Sequence, residues 1–232
     1  MNRILLAIDY LDTKLSTIGL LRPANWTAVE RKSLDKLYAG RLFREEPQFR
    51  EFVGLSFGLS STNNIRHNML DPIPLKADSI SVFQSQDVFE HIPKDRLPVV
   101  IDEIYRILKP GGLFRLSVPD YRFDGYRDRC IFDSSGSIVF DPGGGGDYVN
   151  GEIVNGGHVW FPTIDAVRSI IEQTRFFENG TVTYLQYTNP DGSSVLKPVD
   201  HSLCYVKRCP DNDPRSQFPR RAQSIIVDLI KA

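Results

Sequence analysis

Nowhere in the 232-residue chain do eighteen apolar residues follow one another, so no membrane-spanning helix is expected. A surplus of either charge is also missing. Lys and Arg number 28 against 29 Asp and Glu, a formal net charge of -1, which offers no electrostatic footprint for nucleic acid or an anionic membrane. Cysteine is scarce. Cys130, Cys204 and Cys209 are odd in number and lack CxxC spacing, so free thiols are expected rather than a disulfide framework or a redox motif. The four histidines, His67, His91, His158 and His201, include no pair at metal-ligand spacing, and no metal site is expected. The opening MNRILLAIDYLD holds too short an apolar run for a signal peptide, and Asp9 and Asp12 interrupt it. A cytoplasmic location is the expectation. What remains, 41% hydrophobic and 25% charged residues, fits one globular domain over 1–232.

The most informative stretch runs from Asp78 to Tyr121. Ile80, Val82 and Phe83 read as a buried strand ending near Gln84 to Gln86, followed by a polar elbow over Asp87 to His91. Leu97, Ile101, Ile104 and Leu108 then recur at helical spacing, which predicts a helix over about Asp95 to Leu108 with Pro98 in its first turn. Lys109-Pro110-Gly111-Gly112 is expected to end that helix and turn the chain into a strand over Leu113, Leu116 and Val118. Strand, elbow, helix, turn, strand is a βαβ unit with parallel neighbours, and ligands gather at the carboxyl ends of such strands.

QDVFEHI followed by EIYRILKPGGLFRLSVPD resembles the second half of a class I S-adenosylmethionine (SAM)-dependent methyltransferase domain, continuously over roughly forty residues. The resemblance implies an α/β, Rossmann-like, mostly parallel sheet with helices on both faces and an antiparallel C-terminal hairpin. It also implies SAM as cofactor and methyl transfer to a small-molecule or glycan acceptor. Carried over position by position, it places Ser56 at the ribose, Asn68 near the adenine, and Met69, Gln84 and Asp87 along the cofactor cleft. The chain departs from the family in three respects: no GxGxG-type loop is recognisable before Phe52, Ser56 stands where an acidic residue is usual, and Asn68 stands where an Asp is usual.

The remaining segments are read from pattern alone. Arg3 to Leu21 fits either a strand at RILLAID or a helical stripe, and helix is favoured; a second, looser helix is expected between Glu30 and Arg50, making 1–50 a helical N-terminal segment. Phe52 to Phe57 and Ile65 to Met69 read as strands. Residues 122–161 form an insertion on the substrate side, with a small hairpin around Asp133 to Gly136 and a tight turn or lid at Gly143 to Gly146. Thr163 caps a helix reaching about Thr174, Thr181 to Tyr187 is a strand, and Asn189-Pro190-Asp191-Gly192 is a turn. Val195 to Val206 reads as a strand broken by Pro198, and Ser224 to Ile230 closes the chain as another.

Methyl transfer from a sulfonium requires orientation, exclusion of water and, for a hydroxyl or amine acceptor, a base. His91, at the tip of the first central strand, and His158, set between glycines and two aromatics, are the candidate catalytic residues, each weighed against a structural role. The competing reading is a non-catalytic methyltransferase-like module that has lost the cofactor loop. A nicotinamide-dependent enzyme is less favoured, because it needs the same missing loop.

Overall fold

The computed structural model describes residues 34–40, 51–56 and 64–232. Its frame is an eight-stranded sheet. In chain order the strands are β1 Lys36–Gly40, β2 Val53–Ser56, β3 Asn64–Arg66, β4 Ile80–Gln86, β5 Leu108–Pro119, β10 Gly180–Thr188, β11 Ser194–Leu196 and β12 Ser224–Lys231. They lie side by side in the order β11-β10-β12-β5-β4-β1-β2-β3. The five from β3 to β5 are parallel, whereas β12 runs antiparallel between β5 and β10. The expected parallel β4–β5 pair and antiparallel C-terminal pair are thus present.

Helix α1, Leu97–Ile107, joins β4 to β5 as the sequence spacing predicts, after a single 3-10 turn at Lys94–Arg96. It buries Leu97, Val100, Ile101, Ile104 and Ile107 against Phe83, Phe114, Leu116 and Val118. Each such side chain contributes about 1.5–3 kcal/mol by leaving water. Lys109-Pro110-Gly111-Gly112 does not form a separate turn: β5 already begins at Leu108, and only Gly111 takes a left-handed conformation, at φ 75°.

The larger correction concerns 30–50. Lys36–Gly40, expected in a helix, is the strand β1, paired on one side with β2 and on the other with β4. A central strand is covered on both faces, so Leu37, Tyr38 and Ala39 are all buried and no alternation marks it. The rest of the N-terminal segment and the expected helix at 5–18 lie outside the described residues.

Among the described residues the helices cover one face of the sheet. Helices α3, Ile164–Ile171, and α4, Arg175–Asn179, pack there beside α1. Extended chain covers the other face: Val199, Cys204, Tyr205, Val206 and Cys209 pack on Tyr38, Val82, Leu113, Leu185 and Ile226. This segment takes the place of most of the strand expected over Val195 to Val206; only Ser194–Leu196 is strand, and Pro198 follows it. The insertion holds a one-turn helix α2, Asp124–Arg127, and two hairpins. One is the expected β6 Ile131–Phe132 with β7 Ile138–Phe140, the other β8 Asp147–Val149 with β9 Glu152–Val154. No helix among the described residues is long and apolar enough to cross a membrane.

Candidate functional site

The carboxyl ends of β4 and β5 carry a polar cluster drawn from three segments: the elbow after β4, the insertion, and the chain that leads to β12. Asp87 leaves β4 with φ 55°, which turns the chain sharply into a 3-10 turn at Phe89–His91. Three hydrogen bonds fasten that turn to the end of the insertion. Trp160 Nε1 donates to the Phe89 carbonyl at 2.9 Å, Val159 N to the Glu90 carbonyl at 2.9 Å, and His91 Nδ1 to the Gly157 carbonyl at 2.7 Å. His91 and His158 therefore meet edge to face, with ring centroids 4.7 Å apart.

His158 is held from behind. Tyr121 donates its hydroxyl proton to Asp141 Oδ2 at 2.6 Å and contacts His158 Nδ1. Since that proton is engaged by Asp141, His158 Nδ1 carries its own hydrogen and donates to the Tyr121 oxygen. Arg129 clamps Asp141 through Nε and Nη2, both at 2.7 Å. The glycines around this network permit close approach: a Cβ on Gly144 would lie 2.6 Å from His158 Cγ, and one on Gly143 would enter the Arg129 guanidinium. The glycine run thus supports the histidine through backbone packing.

Electrostatics leave both imidazoles neutral at pH 7. Burial depresses the His158 pKa to about 3, helped by His91, Arg208 and Arg129 and opposed by Asp141. Burial also lowers His91, against its bond to Gly157. Glu90 moves the other way. Its side chain is fully buried, neither carboxylate oxygen accepts a hydrogen bond from another residue, and burial followed by repulsion from Asp87 raises its pKa well above the usual range. An isolated buried carboxylate costs several kcal/mol while it stays charged, so Glu90 takes a proton or a cation. Asp87 pairs with Arg208 at 3.1 Å; burial raises its pKa, while Arg208 and Arg215 oppose the rise.

Of the residues singled out in the sequence, His91, His158 and Asp87 converge here. Ser56 ends β2 opposite Arg66, and Asn68 lies just past β3, its Oδ1 accepting from Leu70 N at 3.0 Å. Met69 is buried in the main core and forms one wall of a groove of about 270 Å³ beside α1. Gln84 does not reach the cleft. It sits on the opposite face, fully buried, with Nε2 on the Tyr205 carbonyl at 2.6 Å, because alternation along β4 from Val82 onward sends Val82, Gln84 and Gln86 there. Tyr121 stands just past the tip of β5, where the sequence places ligands, whereas Arg129, Asp141 and Arg208 have no sequence signal; they come from distant segments without motif spacing.

One further residue stands at the neighbouring strand tip. Gly40, the last residue of β1, has φ 133° and faces Gln86, and a Cβ there would run into the Gln86 carbonyl oxygen. Glycine at the carboxyl tip of the first parallel strand is the position that the expected glycine loop would occupy. Residues 41–50 lie outside the described residues.

Residues 48–116 match the family model described as a methyltransferase domain, from just before β2 to well within β5. Over that stretch, less than a third of the chain, the sequence is similar to a methyltransferase domain. The matched part supplies Asp87, Glu90 and His91, whereas Tyr121, Asp141, His158 and Arg208 of the same cluster lie beyond it. No curated protein matches the chain. Solved structures resemble the chain at low identity. The PH0226 protein of Pyrococcus horikoshii is 13% identical over 94% of this chain and 88% of its own, with a TM-score of 0.50. A SAM-dependent methyltransferase of Methanosarcina mazei is 12% identical over 90% and 99%, with a TM-score of 0.45. The phosphoethanolamine N-methyltransferase 2 of Haemonchus contortus, solved with phosphomonomethylethanolamine and S-adenosylhomocysteine, is 14% identical over 76% and 46%, with a TM-score of 0.42.

Proposed function

We propose that this chain is a SAM-dependent methyltransferase that methylates a small-molecule or glycan acceptor in the cleft beyond β4 and β5. The observation that carries the reading is the meeting of Gly40 and Asp87 at the adjoining tips of parallel β1 and β4, with the His91–His158 pair beside them. Gly40 fits a strand tip that passes close to a cofactor: its left-handed backbone favours glycine, and a Cβ there would collide with the Gln86 carbonyl oxygen. Gly40 and Asp87 would hold the methionyl part, Ser56 the ribose, and Asn68 with Met69 the adenine. When bound, the cofactor supplies a methyl group already activated by the positive sulfonium.

The chain then has to orient the acceptor, exclude water and deal with the acceptor's proton. His91 and His158 are the acceptor-side catalytic residues. Both are neutral, and both hold their Nδ1 hydrogens in bonds to Gly157 and Tyr121, which leaves each Nε2 with its lone pair, and one ring nitrogen of each histidine lies within 4.8 Å of the other's. Two such lone pairs accept a proton or a cation, and either lowers the cost of ionising an acceptor hydroxyl. The polar walls supplied by Tyr121, Glu90 and Asp87 support a hydrogen-bonding acceptor over an apolar one.

Calorimetric titration of the full chain with S-adenosylhomocysteine tests the cofactor half. Heat and a raised thermal midpoint are expected; no response at millimolar ligand would make the chain a non-catalytic methyltransferase-like module. His158→Ala tests the acceptor half: cofactor affinity is retained while transfer falls by about 10²-fold or more.

A further inference from the structure

Three side chains on the two fastened loops aim donor atoms at one spot: one carboxylate oxygen of Glu90 and one ring nitrogen each of His91 and His158 lie within 4.8 Å of one another. His158 Nε2 is 3.6 Å from Glu90 Oε1, too far for a hydrogen bond. The fully buried Glu90 carboxylate accepts no hydrogen bond from any other described residue. Behind each imidazole stands a partner for Nδ1, the Gly157 carbonyl for His91 and the Tyr121–Asp141 pair for His158. Partners of this kind fix the tautomer of metal-bound histidines and leave Nε2 free to ligate.

We propose that Glu90 and the Nε2 atoms of His91 and His158 bind one divalent first-row transition-metal cation. Two imidazoles with one carboxylate suit Zn²⁺, Fe²⁺ or Co²⁺ over Mg²⁺ or Ca²⁺, which prefer all-oxygen sites. Bonds of about 2.0–2.1 Å in a tetrahedral site put ligand atoms about 3.3 Å apart. The His158–Glu90 pair is already close to that separation, and the wider spread closes by a turn of His91, the exposed member. Three protein ligands leave a coordination position open on the His91 side, where a donor oxygen of the acceptor fits. That last point rests on the methyltransferase reading; cation binding does not. A second group, His201, Cys209 and Asp211, is also close-set, but its bonds are filled within the fold. Asp211 accepts from His201 and Arg220, and the Cys209 thiol donates to the Val206 carbonyl.

The test uses the full chain, stripped with a chelator and titrated with Co²⁺ alone by visible absorption and calorimetry, with Mg²⁺ for comparison. One Co²⁺ per chain is expected, displaced by Zn²⁺ and not by Mg²⁺. Glu90→Gln, His91→Ala and His158→Ala should lose it, Tyr121→Phe should weaken it about 10–100-fold, and His201→Ala should keep it. Circular dichroism and titration with S-adenosylhomocysteine accompany each variant, and His91→Ala, at an exposed side chain, is the one whose folding is least in question. A chain that binds S-adenosylhomocysteine but no Co²⁺ would overturn the metal site and leave the methyltransferase reading standing. Co²⁺ binding that survives the three ligand substitutions, or is lost in His201→Ala, would overturn it as well. One Co²⁺ bound as expected, with no response to S-adenosylhomocysteine, would support the site and remove only the cofactor reading.

Discussion

Gly144 presses bare backbone against the ring of His158, where a Cβ would lie 2.6 Å from Cγ. Gly144→Ala must therefore displace the imidazole or its own loop, an overpacking that costs about 1–3 kcal/mol. A shift of about 1 Å at a reacting group costs about 10²-fold in rate. The expected outcome is a lower thermal midpoint and a loss of transfer of that order at unchanged cofactor affinity, read by scanning calorimetry, steady-state kinetics and ligand titration. Arg115 makes a separate case in the sheet. Its side chain is only 1% exposed, bonded to Asp228 through Nε and Nη2 at 2.7 Å each, with Nη1 on the Asp200 and Cys204 carbonyls. Asp228→Asn leaves that cation buried without its counter-charge, and urea unfolding should show a loss of about 3 kcal/mol or more. At this scale the sequence discloses His91 and His158 because each stands in a local pattern. Glu90 stands in the same pattern, but its lack of partners is a property of the packed state. Asp141 and Arg129 arrive from an insertion whose spacing says nothing about where it returns.

The elements were legible where a pattern was long enough to have a period. Helix α1 shows four apolar positions at helical spacing and appears almost at its expected bounds. β1 has five residues, buried on both sides, and its leucine falls in step with those of a charged neighbourhood, so it imitates a helix. The hairpin β8–β9 had a readable sign in Asn150-Gly151, whose left-handed residues, φ 52° and 87°, suit a two-residue turn. Recognising β1 changes what the absent glycine loop means, since Gly40 still ends the first strand in a conformation costly to other residues. Gly40→Ala strains that backbone and drives a Cβ at the Gln86 carbonyl. Affinity for S-adenosylhomocysteine should fall by about 10-fold, corresponding to about 1.4 kcal/mol. An unchanged affinity would mean that the β1 tip does not meet the cofactor.

Across the whole molecule, His67, His91 and His158 all have pKa values depressed below 6.5, burial being the leading cause in each. The folded chain then takes up protons later than the unfolded one as pH falls. Each histidine's share of stability is complete above pH 6.5 and drains away toward its lowered folded value, by at most about 1.4 kcal/mol per pH unit. Glu90 and Asp87, raised by burial, work in the opposite direction below their own folded values, so the total profile mixes signs. His67 isolates the effect, because it stands apart from the polar cluster. It is 8% exposed, its Nε2 is 3.2 Å from the Asp71 carbonyl, and the charges facing it are Asp71 and Glu103, which partly offset the desolvation. Replacing it by asparagine removes one titrating group while keeping a polar side chain. Urea unfolding of both proteins, with chelator present, should give a stability gap in favour of the wild type that narrows as pH falls from 7.5 to 5.5, by about 1 kcal/mol at most. A gap that stays constant, or widens in acid, would mean that His67 is protonated in the fold and that its burial does not govern its charge.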